Sequence, residues 1–424
     1  MSESVPAGWE NVTLGEFCVG IRGVSYKPSD LSSNSTIETI TLLRSNNIQD
    51  TGIVLDDVQH VSCSRVNEQQ KAQQNDIAVC MSNGSKRLVG KSASFRNMPR
   101  LGNYTVGAFC SIFRSHKNVI PEFVLQLFHS QDYISQVGLS LAGSAINNLK
   151  NSDVEDYCFL KPPLPEQQKI ASILTSIDTV IEKTEAQINK LKDLKKAMMQ
   201  ELLTKGIGHT EFKDSTVGRI PKGWGVKTFG EVVKSIKSGL SRRIVPQDIG
   251  IPVLISGNIQ DGKLDTSALK YWYVDDPQGA NTNNYLLNDG DILLCFINSI
   301  SQIGKSCIYH DIGRPAIYTT NMFRVIPKSD YPSDFLHLIM NADSFQREIE
   351  LITKPAVNQA SFTKVDLEAI EVVCPSVNEI KEITNAVLSI GINIDKNQRK
   401  LNHTKSLKKA LMQDLLTGKV RVKV

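Results

Sequence analysis

Two short runs hold residue types that could do chemistry. Gly90-Lys91-Ser92 recurs as Gly304-Lys305-Ser306. A glycine followed by lysine and serine ends the loop that cradles nucleotide phosphates, but that loop needs another glycine five positions earlier so that successive amides wrap the anion. In the first run Gly84 stands one position too far away, and in the second Ser299 occupies the required place. Neither run is a nucleotide loop. Gly206-x-Gly208 has Glu211 where a dinucleotide fingerprint needs glycine. The Pro-Pro pair lies in Lys161-Pro162-Pro163-Leu164, with the wrong neighbours for an adenine methyltransferase loop. Cys307 and His310 have no second ligand pair nearby, so the chain is expected to hold no metal and to have no catalytic residues.

What the two runs share is their setting. "CMSNGSKRLVGKS" and "CFINSISQIGKS" are rich in Asn, Ser, Lys, Arg and Gln, which hold phosphates and read base edges. Asn83, Ser85, Lys86, Arg87 and Lys91 are candidate DNA contacts in the first run. Asn298, Ser301, Gln302 and Lys305 are candidates in the second, with Arg242 and Arg243 from "KSGLSRR". The lysines are expected on phosphate, and Asn, Gln and Arg on bases. Each loop also has a plain reading as a solvated surface loop.

These runs belong to a longer repeat. "LKKAMMQELLT" (194–204) and "LKKALMQDLLT" (407–417) agree at nine of eleven positions, at an offset of 213 residues. Upstream at the same offset, Glu166, Ile170, Ser176, Ile177, Ile181 and Lys183 fall on Glu379, Ile383, Ser389, Ile390, Ile394 and Lys396. Further matches have drifting offsets: "VPAGWENVTLGE" with "IPKGWGVKTFGE", "LLRSNNIQD" with "VLISGNIQD", "NDIAVC" with "GDILLC", and "EFVLQLF" with "DFLHLIM". The order is domain, helix, domain, helix. Helix register is strict, whereas domain loops vary.

Apolar residues at alternating steps of three and four predict two long helices. In the first they are Ile170, Leu174, Ile177, Ile181, Ile188, Leu191, Leu194, Met198 and Leu202, and in the second Ile383, Val387, Ile390, Ile394, Leu401, Leu407, Leu411 and Leu415. Pro165 and Asn378 mark the starts; Gly206 and Gly418 mark the ends. About 40 residues at 1.5 Å each give rods of about 60 Å. Such a stripe needs cover. The expectation is an antiparallel coiled coil of the two copies, with a pseudo-twofold axis; the alternative is that each helix folds onto its own domain. "ETITLLR", "IPVLISG", "DIAVCMS" and "DILLCFI" read as strands, and residues 121–137 and 332–350 read as helical. The fold class is therefore α+β. Expected boundaries are a first domain at 1–160, a helix at 161–206, a connector at 207–220, a second domain at 221–375, and a helix with tail at 376–424.

Composition restricts the rest. A chain of 424 residues is suited to two or three domains. The net charge of +4 leaves the choice of partner to where the charges lie. No run of eighteen apolar residues is present, and "MSESVPAGWENV" has no leader pattern. Eight cysteines without a C-x-x-C pair indicate reduced thiols in the cytoplasm.

Taken together, "PLPEQQKIASIL", "DTVIEK", "LKKAMMQELLTKGIG" and "IPKGWGVKTFGEV" in a doubled frame resemble the specificity subunit of type I restriction-modification enzymes. The resemblance covers essentially the whole chain. The second copy departs where PLPEQQ becomes SVNEIK and Asp178 becomes Gly391. The resemblance implies a non-catalytic DNA-binding subunit whose domains each recognise half of a bipartite, non-palindromic target. The helices would act as a spacer, since two readers on one face of a duplex sit about 34 Å apart. They would also dock two methyltransferase subunits and, through them, restriction-translocase subunits. S-adenosylmethionine, ATP and magnesium would reside on those partners. Glu166, Lys169, Lys195, Lys196, Lys408 and Lys409 are the candidate partner contacts. The rival readings are a stand-alone methyltransferase or nuclease, and a coiled-coil scaffold with no DNA role.

Overall fold

The computed structural model describes residues 5–49, 52–96, 98–142, 147–356 and 359–424. Asp50, which ends one of the repeated stretches, lies outside them. The chain divides into two compact units: Met1–Gln187 with Asn397–Val424, and Ile188–Lys396. The division cuts both long helices, Leu164–Lys205 and Val377–Leu416. Each unit thus holds one mixed α/β domain and half of each helix.

The two domains share one plan. In the first, an antiparallel sheet has the order Cys18–Arg22, Cys110–Ser115, Ile77–Cys80, Ser92–Ser94. In the second, Val233–Ser238, Met322–Pro327, Ile292–Cys295 and Ser306–Ile308 repeat that order. The central strands Ile77–Cys80 and Ile292–Cys295 are buried throughout, hence the unbroken apolar runs in the sequence. A second sheet has a parallel pair in each domain: Tyr104–Val106 on Thr39–Leu43, and Ile317–Tyr318 on Ile251–Leu254. A closing ladder joins each domain's first strand to the strand before its following long helix: Glu10–Thr13 with Cys158–Lys161, and Gly225–Thr228 with Glu371–Cys374.

The helical stretches expected at 121–137 and 332–350 are each two helices. Pro121–Phe128 is followed by Gln131–Ala142, and Ser333–Met340 by Asp343–Ile352. His129-Ser130 and Asn341-Ala342 form the breaks.

Within each unit the helix halves run in opposite directions. In the first, Ile170, Ala171 and Leu174 share a core with Met412, Leu415, Leu416 and the domain's Phe123, Leu127 and Phe159. In the second, Leu203 shares a core with Ile380, Ile383, Trp224 and Phe335. The two expectations for the stripe therefore both hold locally: each half packs on the other helix and on a domain. Full burial of one such aliphatic side chain contributes about 1.5–3 kcal/mol. Leu194 and Leu407 depart from expectation. Although on the stripe, they are 48% and 46% exposed. Counting sevens from Ile188 and Leu401 lands on Lys195 and Lys408, which are half-buried, so each leucine stands one residue short of the seam position. Leu203 and Met412, both off the expected stripe, are buried instead.

The helix ends follow the glycine signals. Gly206 and Gly418 have φ of +66° and +73°, the left-handed cap position. Just past each end, the chain meets a glutamate of the opposite helix. The Glu379 carboxylate accepts from Ile207 N–H at 3.0 Å, His209 Nε2 at 2.8 Å and Trp224 Nε1 at 2.7 Å. The Glu166 carboxylate is clasped by Arg421, whose Nε lies at 2.9 Å and whose Nη2 bonds the second oxygen. Arg421 also donates to the Ala7 carbonyl at 3.0 Å and lies over the Trp9 ring. No helix among the described residues is long and apolar enough to cross a membrane.

Candidate nucleic-acid interface

In both domains the candidate loop leaves a buried strand, crosses the domain surface and returns at a glycine. Gly90 and Gly304 have φ of +86° and +79°. A Cβ on Gly90 would lie 2.9 Å from Val137, and one on Gly304 2.9 Å from Ile349. The Gly90 carbonyl accepts from Tyr133 Oη at 3.4 Å, and that of Gly304 from Gln346 Nε2 at 3.2 Å. The repeated Gly-Lys-Ser is thus a backbone return pressed against a helix, needing glycine for conformation and for close approach.

The lysine after it is held by a glutamine. Lys91 Nζ donates to Gln49 Oε1 at 2.9 Å, and Lys305 Nζ to Gln302 Oε1 at 2.6 Å. At the other end of each loop an asparagine ties it to a neighbouring turn. Asn83 Nδ2 donates to Ser45 Oγ at 3.1 Å, and Asn298 Nδ2 to Ser256 Oγ at 2.9 Å. Those turns are Ser45–Asn47 and Ser256–Asn258, each held by a buried asparagine whose amide caps backbone carbonyls: Asn47 on Val54 and Asp56, Asn258 on Asp265 and Ala268. The repeated "NIQ" is the exit from this turn.

The remaining DNA candidates separate by exposure. Ser85, Lys86 and Arg87 are exposed at the first loop's tip, and Ser301 at the second's. Arg242 and Arg243 part company. Asp276, with a fully buried side chain, accepts from Arg242 Nε at 2.9 Å and Nη2 at 2.6 Å, and also from Trp272 Nε1, Gln278 N–H and Ala280 N–H. The Arg242 guanidinium is the largest cause holding the Asp276 carboxyl far below the usual range. Arg242 therefore braces the 272–280 loop, while Arg243 is exposed.

The partner candidates separate likewise. Glu166 is buried in the Arg421 clasp, which holds its carboxyl below the usual range. Its charge is spent inside the chain. Lys169 is exposed. Lys196 pairs with Asp343 at 3.3 Å, and Lys408 with Asp178 at 2.6 Å. Lys195 is half-buried, and its ammonium is pushed down first by burial, then by Lys263, against an opposing pull from Asp395. In the first unit, a cleft of about 710 Å³ has Lys86, Arg87 and Lys91 on the domain side and Lys405, Lys408 and Lys409 on the helix side. Lys405 pairs with Glu185 and Lys408 with Asp178, each at 2.6 Å, and Asp132 also lines the cleft, so part of its positive charge is answered within the chain.

The sequence reading missed the residue on which each loop rests. The Phe109 carbonyl accepts from Met81 and Ser82 N–H at 2.8 and 3.1 Å; the Asn321 carbonyl accepts from Phe296 and Ile297 N–H at 3.2 and 3.4 Å. Phe109 is 68% exposed. A bare aromatic side chain beside a polar loop is a signal only once the loop's place is known. Among the described residues no group of His, Cys, Asp and Glu is placed to hold a metal.

Comparison with known proteins agrees with this geometry. Residues 6–193 match the family model described as type I restriction modification DNA specificity domain. The chain is 24% identical to the EcoKI specificity subunit of Escherichia coli K12, over 98% of this chain and 89% of that protein. It is 28% identical to the MjaVIII specificity subunit of Methanocaldococcus jannaschii, over 99% and 94% respectively. Among solved structures, the S subunit of a type I restriction-modification system from M. genitalium superposes with a TM-score of 0.57 at 13% identity, covering 98% of each chain. A chain from a study of complex assembly and conformational transition in the type I system gives 0.55 at 16% identity, over 98% and 100%. These two establish likeness of fold. Along nearly its whole length the chain is thus similar to the type I specificity subunits, and residues 6–193 carry the match to their DNA specificity domain.

Proposed function

We propose that the chain recognises a bipartite, non-palindromic DNA target and directs methyltransferase and restriction partners to it, without catalysing a reaction itself. The observation that carries this reading is one domain frame built twice with different loop tips. Ser85-Lys86-Arg87 stands in one copy and Ile300-Ser301-Gln302 in the other. Equal frames present readers in equal orientations, and unlike tips read unlike half-sites. Lys86 and Arg87, exposed at the first loop's tip, support a DNA path along the first domain. Replacing residues 1–150 by the same domain of another such chain tests the reading. Methylation mapped in cells carrying the full system should change in one half of the recognised sequence. A change in both halves would overturn it.

The partner surface is read from a second duplication. On the last third of each long helix, Leu194, Lys196, Ala197 and Gln200 are exposed, and Leu407, Lys409, Ala410 and Gln413 repeat them identically and are exposed too. Packing within the chain gives no reason to keep exposed residues identical. A second copy of the same partner does, and an exposed leucine ringed by polar groups is a suitable anchor. Two methyltransferase subunits would thus bind equivalent faces, bringing S-adenosylmethionine, with ATP and magnesium on the restriction subunits. Native mass spectrometry of the assembled complex tests the stoichiometry. Leu194→Glu and Leu407→Glu should each remove one subunit and the double variant both; retention of two by the double variant would exclude this face.

A further inference from the structure

The recognition surface contains positions the two domains share and positions they do not. Shared are the lysine after the left-handed glycine (Lys91, Lys305), the asparagine-to-serine tie (Asn83–Ser45, Asn298–Ser256) and the turn with its buried asparagine. Unshared are the loop tips and the residue whose carbonyl seats each loop, Phe109 in one domain and Asn321 in the other. The equivalence of that last pair is structural: each carbonyl accepts two consecutive amides at the root of its loop. The sequence matches alone did not bring the two together.

Building on the function proposed above, we infer that this surface divides its labour. Lys91 and Lys305 hold the DNA backbone, which is the same in both half-sites. Phe109 and Asn321 are specificity-determining residues that read the bases on which the half-sites differ. A lysine ammonium is a point charge drawn to phosphate, with no acceptor and no means of telling one base from another. Asn83 and Asn298 spend their amides holding the loop. Phe109 has the opposite character. It has no hydrogen-bonding side-chain atom and stands exposed beside a polar loop, where an apolar contact with a thymine methyl group would carry sequence information. Asn321, half-buried at the equivalent place, offers an amide that can pair with an adenine edge.

The experiment uses the chain assembled with its methyltransferase subunits and a duplex DNA pool of randomised sequence, with the bound fraction sequenced. Phe109→Asn should change the preferred base at a position in one half-site, with at least about tenfold loss of the original preference, and leave the other half untouched. Phe109→Tyr, which keeps the ring, is the control for folding and should retain binding. Lys91→Ala should keep every preferred letter, weaken binding to all sequences, and lower the slope of log affinity against log salt by about one. An unchanged consensus in Phe109→Asn, or an altered one in Lys91→Ala, would overturn the inference. A pool from which the unaltered complex enriches no sequence would instead overturn the proposed function.

Discussion

The two units treat the same lysine differently. In the first, Lys408 donates to Asp178 at 2.6 Å, and Asp178 also accepts from Gln126 Nε2 at 2.9 Å. At the offset of 213 residues the corresponding lysine in the second unit is Lys195, and the position of Asp178 is Gly391. Gln126 falls on Leu338 through the matched helices. A lysine–carboxylate–amide triad has therefore become a lysine, a glycine and a leucine. Lys195 keeps its half-buried place without the carboxylate, which is why burial leads the causes lowering its ammonium. The same lysine thus stands in both units, with the carboxylate and amide beside it in the first.

That contrast can be broken experimentally, most strongly at Asp178. Asp178→Gly imposes the second unit's arrangement on the first, stranding Lys408 and the buried Gln126 and adding a mid-helix glycine. The first unit should lose about 3 kcal/mol, read as faster amide hydrogen exchange across residues 170–185. Unchanged exchange would mean the triad contributes nothing. Next come the clasps. Glu379→Ala removes the acceptor of the Trp224 indole and the Ile207 amide and should cost the second unit about 2 kcal/mol by denaturant unfolding followed through tryptophan fluorescence.

The clasp in the first unit adds a dependence on acid. Arg421 holds the Glu166 carboxyl below its ordinary value of 4.5. A lowered folded value means the contribution is fully present above the ordinary value and lost as pH falls through the folded one. An acid melt of the protein should therefore steepen below about pH 4, and Glu166→Gln should remove that component while leaving the melt at neutral pH nearly independent of pH. Smallest is the repair. Gly391 has open space for a Cβ, so Gly391→Asp can offer Lys195 a carboxylate and a better helix former, for a gain of about 0.5–1 kcal/mol in the second unit's unfolding. A loss would show that the two lysines are not in equivalent places.

Much of the frame was legible before any coordinates. The long helices were marked at their ends by Gly206 and Gly418, whose left-handed backbone explains why glycine stands there. The buried central strands announced themselves as apolar runs. Thr184, a polar residue in the stripe, is buried and returns its hydroxyl to the Val180 carbonyl. What the apolar residues alone hid was register: Leu194 and Leu407 face outward because each stands one residue before the seam position, which falls on half-buried Lys195 and Lys408. The candidate loops were placed correctly on the domains, but side-chain roles depend on partners distant in sequence. Nothing beside Arg242 in the chain marks Asp276 as its counter-ion, thirty-four residues away. Nothing beside Glu166 marks Arg421, 255 residues on. Composition correctly picked the polar segments; it could not say which amides were already spoken for.

The Arg421 clasp also has a consequence for biogenesis. Residues 188–396 are continuous, so the second unit has all its parts as soon as they leave the ribosome. The first unit needs Asn397–Val424, and Ile170 and Leu174 have no Met412 or Leu415 to cover them until then. At about 5–20 residues per second, a nascent chain would carry that stripe without them for on the order of 10–50 s. The part translated first is the part that matures last, and a chaperone acting during synthesis would meet it there.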